Sequence, residues 1–126
     1  MLIEGQMISG VQNRVSLLVA SLPDFLVMKA HALAGRDKPK DAYDLCFCLD
    51  YAPGGMEAIA RAWRERSSDP LISAAIEHLK VKFATVASYG PQQVAAFYEA
   101  TSREERDRHC RHAYELVSRF LALIAA

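Results

Sequence analysis

The chain carries no net charge, because its 15 lysines and arginines are offset by 15 aspartates and glutamates. Without a bulk positive field it has little with which to hold a long phosphate backbone. Nucleic acid is therefore not expected to bind the chain alone, and any polyanion would be small or held at a local patch. No apolar run approaches the ~20 residues needed to span a bilayer. The opening MLIEGQMISG also lacks the basic segment followed by an apolar one that marks a secretory leader. These absences argue against a membrane protein and predict a cytoplasmic location. Cysteine is scarce, with three in all. Cys46 and Cys48 sit two apart in a helical stretch and point to different sides, so they read as small buried hydrophobes in a reducing compartment. The chain has no P-loop and no recognisable Ser-His-Asp motif. Internal repeats and low-complexity segments are absent as well.

What is present is the balance of a globular protein: 126 residues, 52% hydrophobic and 24% charged. A chain of that size buries roughly two-thirds of the surface it exposes when unfolded, enough for one core without staples. Residues 1 to 20 are rich in strand formers around Ser9-Gly10-Val11-Gln12-Asn13 and predict two short antiparallel strands. From Pro23 onward the punctuation is helical. Proline stands at a first helical position after Leu22, Lys38, Asp69 and Gly90. Asp69 suits an N-cap, and Ser102-Arg103-Glu104-Glu105 matches a capping box. Helices are expected near 23–34, 39–51, 56–67, 70–87, 91–100 and 103–125. The expected fold is thus α+β but mostly α, a single domain over 1–126. It comprises a hairpin at 1–20, a helix pair at 23–51 and a helical bundle at 56–126.

Most side chains need only a packing role. Trp63 with Ile59, Leu79 with Ile72, Ala75 and Ile76, and the stripe Ala113, Leu116, Val117, Phe120, Leu121 and Ile124 recur at helical spacing and read as core. His109, Cys110 and His112 invite a metal reading, yet no clear further ligand accompanies them beyond Glu105 or Glu115, so they read as a polar turn of helix. The segment from Phe25 to Asp50 is harder to dismiss. Lys29 falls between Phe25 and Leu33 at helical spacing, where a lysine either snorkels outward or meets an anion. The second helix is apolar on nearly every side and should be enclosed. Asp41 lies in its first turn, where the helix dipole favours a carboxylate. Asp44 lies a turn deeper, where a carboxylate costs several kcal/mol unless a cation meets it. The two acids are three apart on one face, and Lys29 and Arg36 are the nearest cations across a short connection. Two readings stay open at this point: a buried ion-pair cluster joining two helices, or a site where the lysine holds phosphate oxygens and the carboxylates orient it or handle protons.

The run Phe25-Leu26-Val27-Met28-Lys29-Ala30-His31-Ala32-Leu33-Ala34-Gly35-Arg36, followed by Lys38-Pro39-Lys40-Asp41-Ala42-Tyr43-Asp44-Leu45, resembles the paired motifs of the AbiEii family. Those are nucleotidyltransferase-fold toxins of type IV toxin–antitoxin and phage-abortive systems. The specific match covers about 25 residues. The resemblance implies that Lys29 contacts nucleotide phosphates, with Arg36 and Lys40 as further substrate-binding cations, and that Asp41 and Asp44 are the motif acids of the catalytic set. Lys40 stands where arginine is usual, which keeps the charge and loses the bidentate fork. The family also carries, earlier in its chain, a glycine-containing turn and a pair of metal-holding carboxylates. Before Asp24 the only acid here is Glu4. No metal ligand is therefore expected in this chain, Mg²⁺ is expected only with a complementary N-terminal half, and a nucleoside triphosphate is the implied ligand. The isolated chain is expected to be inactive, because in-line nucleotidyl transfer needs a metal to align and neutralise the phosphates. Implied partners are an antitoxin, a complementary N-terminal chain, or a second copy paired through strand edges. The alternative is a noncatalytic interaction module.

Overall fold

The computed structural model describes residues 22–126, and among them every regular element is an α-helix. The described part of α1 covers 22–35. It is followed by α2 (Pro39–Tyr51), α3 (Gly55–Glu65), α4 (Pro70–Lys82), α5 (Tyr89–Phe97) and α6 (Arg103–Ala125). The α+β expectation is thereby corrected to an all-helical fold, and the hairpin assigned to 1–20 lies outside the described residues. A homodimer built on strand edges loses its basis with it, since no strand edge exists among the described residues. Strand propensity reflects fit to a pleated, half-buried surface more than any preference of the backbone itself, so a run rich in valine and leucine is weak ground for a sheet.

The helix starts follow the local chemistry. Pro39 and Pro70 open α2 and α4, where the missing N–H would have no partner anyway. The Asp69 carboxylate accepts from the Leu71 amide at 2.9 Å, and the Ser102 hydroxyl accepts from the Glu105 amide at 3.0 Å. Each cap satisfies one of the orphan donors at a helix start. Helix α4 ends at Lys82, five residues short of the expected limit. There Thr85 and Ser88 offer the backbone another set of partners: the Thr85 amide donates to Ser88 Oγ at 2.9 Å and the Ala87 amide to Thr85 Oγ1 at 3.2 Å. The turn lets α5 begin at Tyr89, two residues before Pro91.

One connected core draws on all six helices. Its centre is Trp63, fully buried, with its indole N–H donating to the Pro23 carbonyl at 3.0 Å and its ring edge-on to Phe120 at 5.0 Å. Helix α6 lies along α5, α3 and α2, burying Cys110, Ala113, Leu116, Val117 and Phe120 along one stripe. Helix α1 contributes Leu26, Val27, Ala30 and Leu33 to the core. Lys29 therefore lies at the edge of that stripe rather than within it. Helix α2 is less enclosed than its composition suggests. It buries Ala42, Leu45, Cys46, Cys48 and Leu49, while Phe47 and Tyr51 remain exposed.

Candidate functional site

The end of α1 and the start of α2 are joined by Arg36, Asp37 and Lys38. The Arg36 amide still completes a helical bond to the Ala32 carbonyl at 3.0 Å, and the Asp41 amide closes a turn on Lys38 at 3.0 Å. This tight connection lays the last turn of α1 across the first turn of α2. The Tyr89 hydroxyl braces it from α5, donating to Asp37 at 2.9 Å and lying 3.3 Å from the Arg36 carbonyl oxygen.

Five charged side chains meet there. Arg36 grips Asp41 in a fork, Nε to Oδ2 at 2.6 Å and a terminal nitrogen to Oδ1 at 2.8 Å. Lys29 reaches the same Asp41 Oδ1 at 3.2 Å and Asp44 Oδ2 at 2.8 Å. Lys40 closes the chain on Asp44 Oδ2, also at 2.8 Å. The Phe25 ring lies under the Lys29 ammonium, 5.6 Å from nitrogen to ring centre, which suits a cation–π contact. All the residues expected at the site, Lys29, Arg36, Lys40, Asp41 and Asp44, are thus brought together. Their burial differs from expectation in one respect: the carboxylate sunk in the fold is Asp41, 1% exposed, and not Asp44. Arg36 and Lys40 stay 53% and 59% exposed at the outer ends of the network.

The electrostatics follow from these contacts. The Arg36 fork, helped by Lys29 and opposed by burial, holds the Asp41 carboxyl down to about 2. Burial alone would lower the Lys29 pKa, but its bonds to Asp44 and Asp41 outweigh that and raise it. Burial would raise Asp44, and its bonds to Lys29 and Lys40 bring it below its ordinary value. Three cations face two carboxylates, so the cluster carries one net positive charge. Such a cluster fits an anion. It does not fit a divalent cation, because both carboxylates already meet ammonium or guanidinium groups, and no group of three potential ligands occurs among the described residues.

The residues of the histidine-containing turn separate. Cys110 points inward and donates to the Pro91 carbonyl at 3.5 Å, His109 stacks on Tyr98, and His112 pairs with Asp50 at 2.8 Å. Sequence reasoning assigned no role to Asp50, Tyr98 or the Tyr89 brace. Tyr43, Phe47 and Tyr51 form an aromatic ridge along α2, with successive ring centres 5.8 and 4.7 Å apart, and their spacing, four apart on one helix face, was the available signal for it.

Comparison with known proteins sets the class first. The chain matches, over residues 4–119, the family described as nucleotidyl transferase AbiEii toxin of type IV toxin–antitoxin systems. It is therefore a nucleotidyltransferase-like toxin domain. With most of its length matched, the chain belongs to the AbiEii family. No curated protein and no solved structure matches it. Among the described residues no helix is long and apolar enough to cross a membrane.

Proposed function

We propose that the Lys29 cluster is the phosphate-holding part of a nucleotidyltransferase site, with a nucleoside triphosphate as its ligand. The observation that carries this is the net positive cluster with its two outer cations open to solvent. Lys29, Arg36 and Lys40 retain N–H donors beyond those spent on the two aspartates, and phosphate oxygens are the ligands that guanidinium and ammonium groups take most readily. Asp41 works by positioning. A carboxylate held near pKa 2, with both oxygens occupied, is a poor proton acceptor at neutral pH, so its part is to fix Lys29 and Arg36 in place. Asp44 does the same for Lys29 and Lys40. Lys29, Arg36 and Lys40 are the groups that would touch substrate, the last two from the open ends of the network. The divalent ion that nucleotidyl transfer employs would be held by carboxylates outside this cluster. Membership of a toxin–antitoxin family supports an antitoxin as the protein partner, and a cytoplasmic setting fits that reading.

The test is calorimetric titration of the full chain with inorganic triphosphate and with nucleoside triphosphates at low salt. Saturable binding is expected, weakened about tenfold or more in Lys29→Met, since a hydrogen bond to a charged group contributes about 1.5–3 kcal/mol. Circular dichroism confirms that the variant is folded. A folded Lys29→Met that binds triphosphate as the parent does would leave the cluster a structural clamp between α1 and α2.

A further inference from the structure

The other flank of α2 opens on a cleft of about 360 Å³ between α2 and α6, closed by the last turn of α5. The Tyr98 ring lies flat on the His109 imidazole, with centroids 4.0 Å apart and planes 6° from parallel. Across from this pair stand Phe47 and Tyr51, their rings 4.7 Å apart. Core packing accounts for only part of them, because Tyr51 is 70% exposed and Phe47 and Tyr98 are each 49% exposed. Asp50 lines the same cleft, and its Oδ2 lies 2.8 Å from His112 Nε2, leaving Oδ1 to accept from a ligand. Arg108 lines the same cleft.

We infer that this cleft is a binding site for a nucleobase, separate from the Lys29 cluster. Three features converge on that ligand class. The volume falls in the range of small-molecule sites, about 300–1,000 Å³. Exposed aromatic faces stack on any flat ring. A carboxylate acceptor and a guanidinium complement a ring that carries N–H groups on its edge and an anion on its tether. A nucleobase with its sugar phosphate meets all three conditions. Phe47 and Tyr51 also line the neighbouring apolar cleft that reaches Asp44, so a nucleotide chain could pass from one site toward the other along the ridge of α2. Only the choice of a nucleobase over another flat ring rests on the nucleotidyltransferase reading.

Nucleosides test the site directly, because they lack the phosphates that the Lys29 cluster would hold. Adenosine, guanosine, cytidine and uridine are titrated into the full chain, and the aromatic NMR resonances of Tyr98 and His109 are followed. At least one nucleoside should give saturable shifts at both rings that persist with inorganic triphosphate present. Its affinity should fall about tenfold or more in Tyr98→Leu, the loss expected for one stacking platform. Tyr51→Ser, at a more exposed position, provides a second variant if Tyr98→Leu does not fold, with weakening expected there too. Absence of saturable shifts with all four nucleosides, undiminished affinity in the folded variants, or displacement by triphosphate would each overturn the inference. Loss of nucleoside binding with triphosphate binding intact would sink this site alone and leave the Lys29 reading standing.

Discussion

Asp41 keeps its charge to a pH at which ordinary carboxylates are protonated, because the Arg36 fork binds the ionised form. Its folded value of about 2 lies below the ordinary 3.8. The stabilisation is present in full above about pH 4 and is lost as pH falls toward 2. The shift corresponds to about 2 kcal/mol. Asp41→Asn should therefore cost about 3 kcal/mol at pH 7, since Lys29 and Arg36 lose their buried partner, and the gap between variant and parent should narrow as pH drops from about 4 to about 2. Urea melts of the two proteins across that range check it, and parallel acid profiles would remove Arg36 and Lys29 as the cause. Lys29 runs the other way: its raised value means its contribution is complete below its ordinary 10.5 and fades as pH rises through the higher folded value. Asp44→Ala should cost less than Asp41→Asn, about 1–2 kcal/mol, because Lys29 retains Asp41. The identity of the cluster was legible in the sequence, since lysine, arginine and two aspartates stood at facing spacings across a short connection. Which aspartate lies deepest was not. The helix dipole gave Asp41 a sufficient local reason, and only the turn of chain carrying Arg36 over it supplies the tertiary one.

At the scale of elements, the decisive position is Gly90 in the first turn of α5. A Cβ built there would lie 2.5 Å from Phe83 Cζ, closer than carbon atoms approach. The Phe83 ring, at the end of α4, is itself buried in the core, so it has little room to withdraw. Gly90→Ala should cost about 1–3 kcal/mol through overpacking, although alanine is the better helix former by about 1 kcal/mol. Denaturant melts decide the sign: a stabilised Gly90→Ala would mean that Phe83 yields freely. This contact also explains why the boundaries of α4 and α5 were misplaced in the sequence reading while α2 and α6 were not. Pro39, Asp41 and the Ser102 cap are local signals, and they start α2 and α6 at Pro39 and Arg103. The break between α4 and α5 depends on Thr85 and Ser88 bonding to the backbone and on a ring meeting a glycine seven residues on, and neither is a periodic pattern. The aromatic ridge of α2 was misread for a related reason. Hydrophobicity predicts burial, and Phe47 and Tyr51 line a cleft that α5 and α6 border without covering the rings.

At the scale of the whole molecule, the Lys29 cluster and the cleft beside Tyr98 share α2 and one core, so the stability of either depends on how many helices fold as a unit. The single tryptophan offers a probe. Trp63 is fully buried where α1, α3 and α6 meet, bonded to Pro23 and edge-on to Phe120, and its fluorescence reports that junction. Far-ultraviolet circular dichroism reports all the helices together. In one cooperative unit the two transitions coincide. A more demanding form of the test uses Gly90→Ala, whose strain lies between α4 and α5, away from the indole. Because α5 packs along α6, and α6 along α3, the strained contact and Trp63 belong to one continuous core. The variant should then shift the fluorescence midpoint and the dichroism midpoint equally. A fluorescence curve that stays in place while the dichroism curve moves would show that α4 and α5 unfold apart from the junction of α1, α3 and α6. The cleft closed by Tyr98 would then open in a state where the Lys29 cluster still holds.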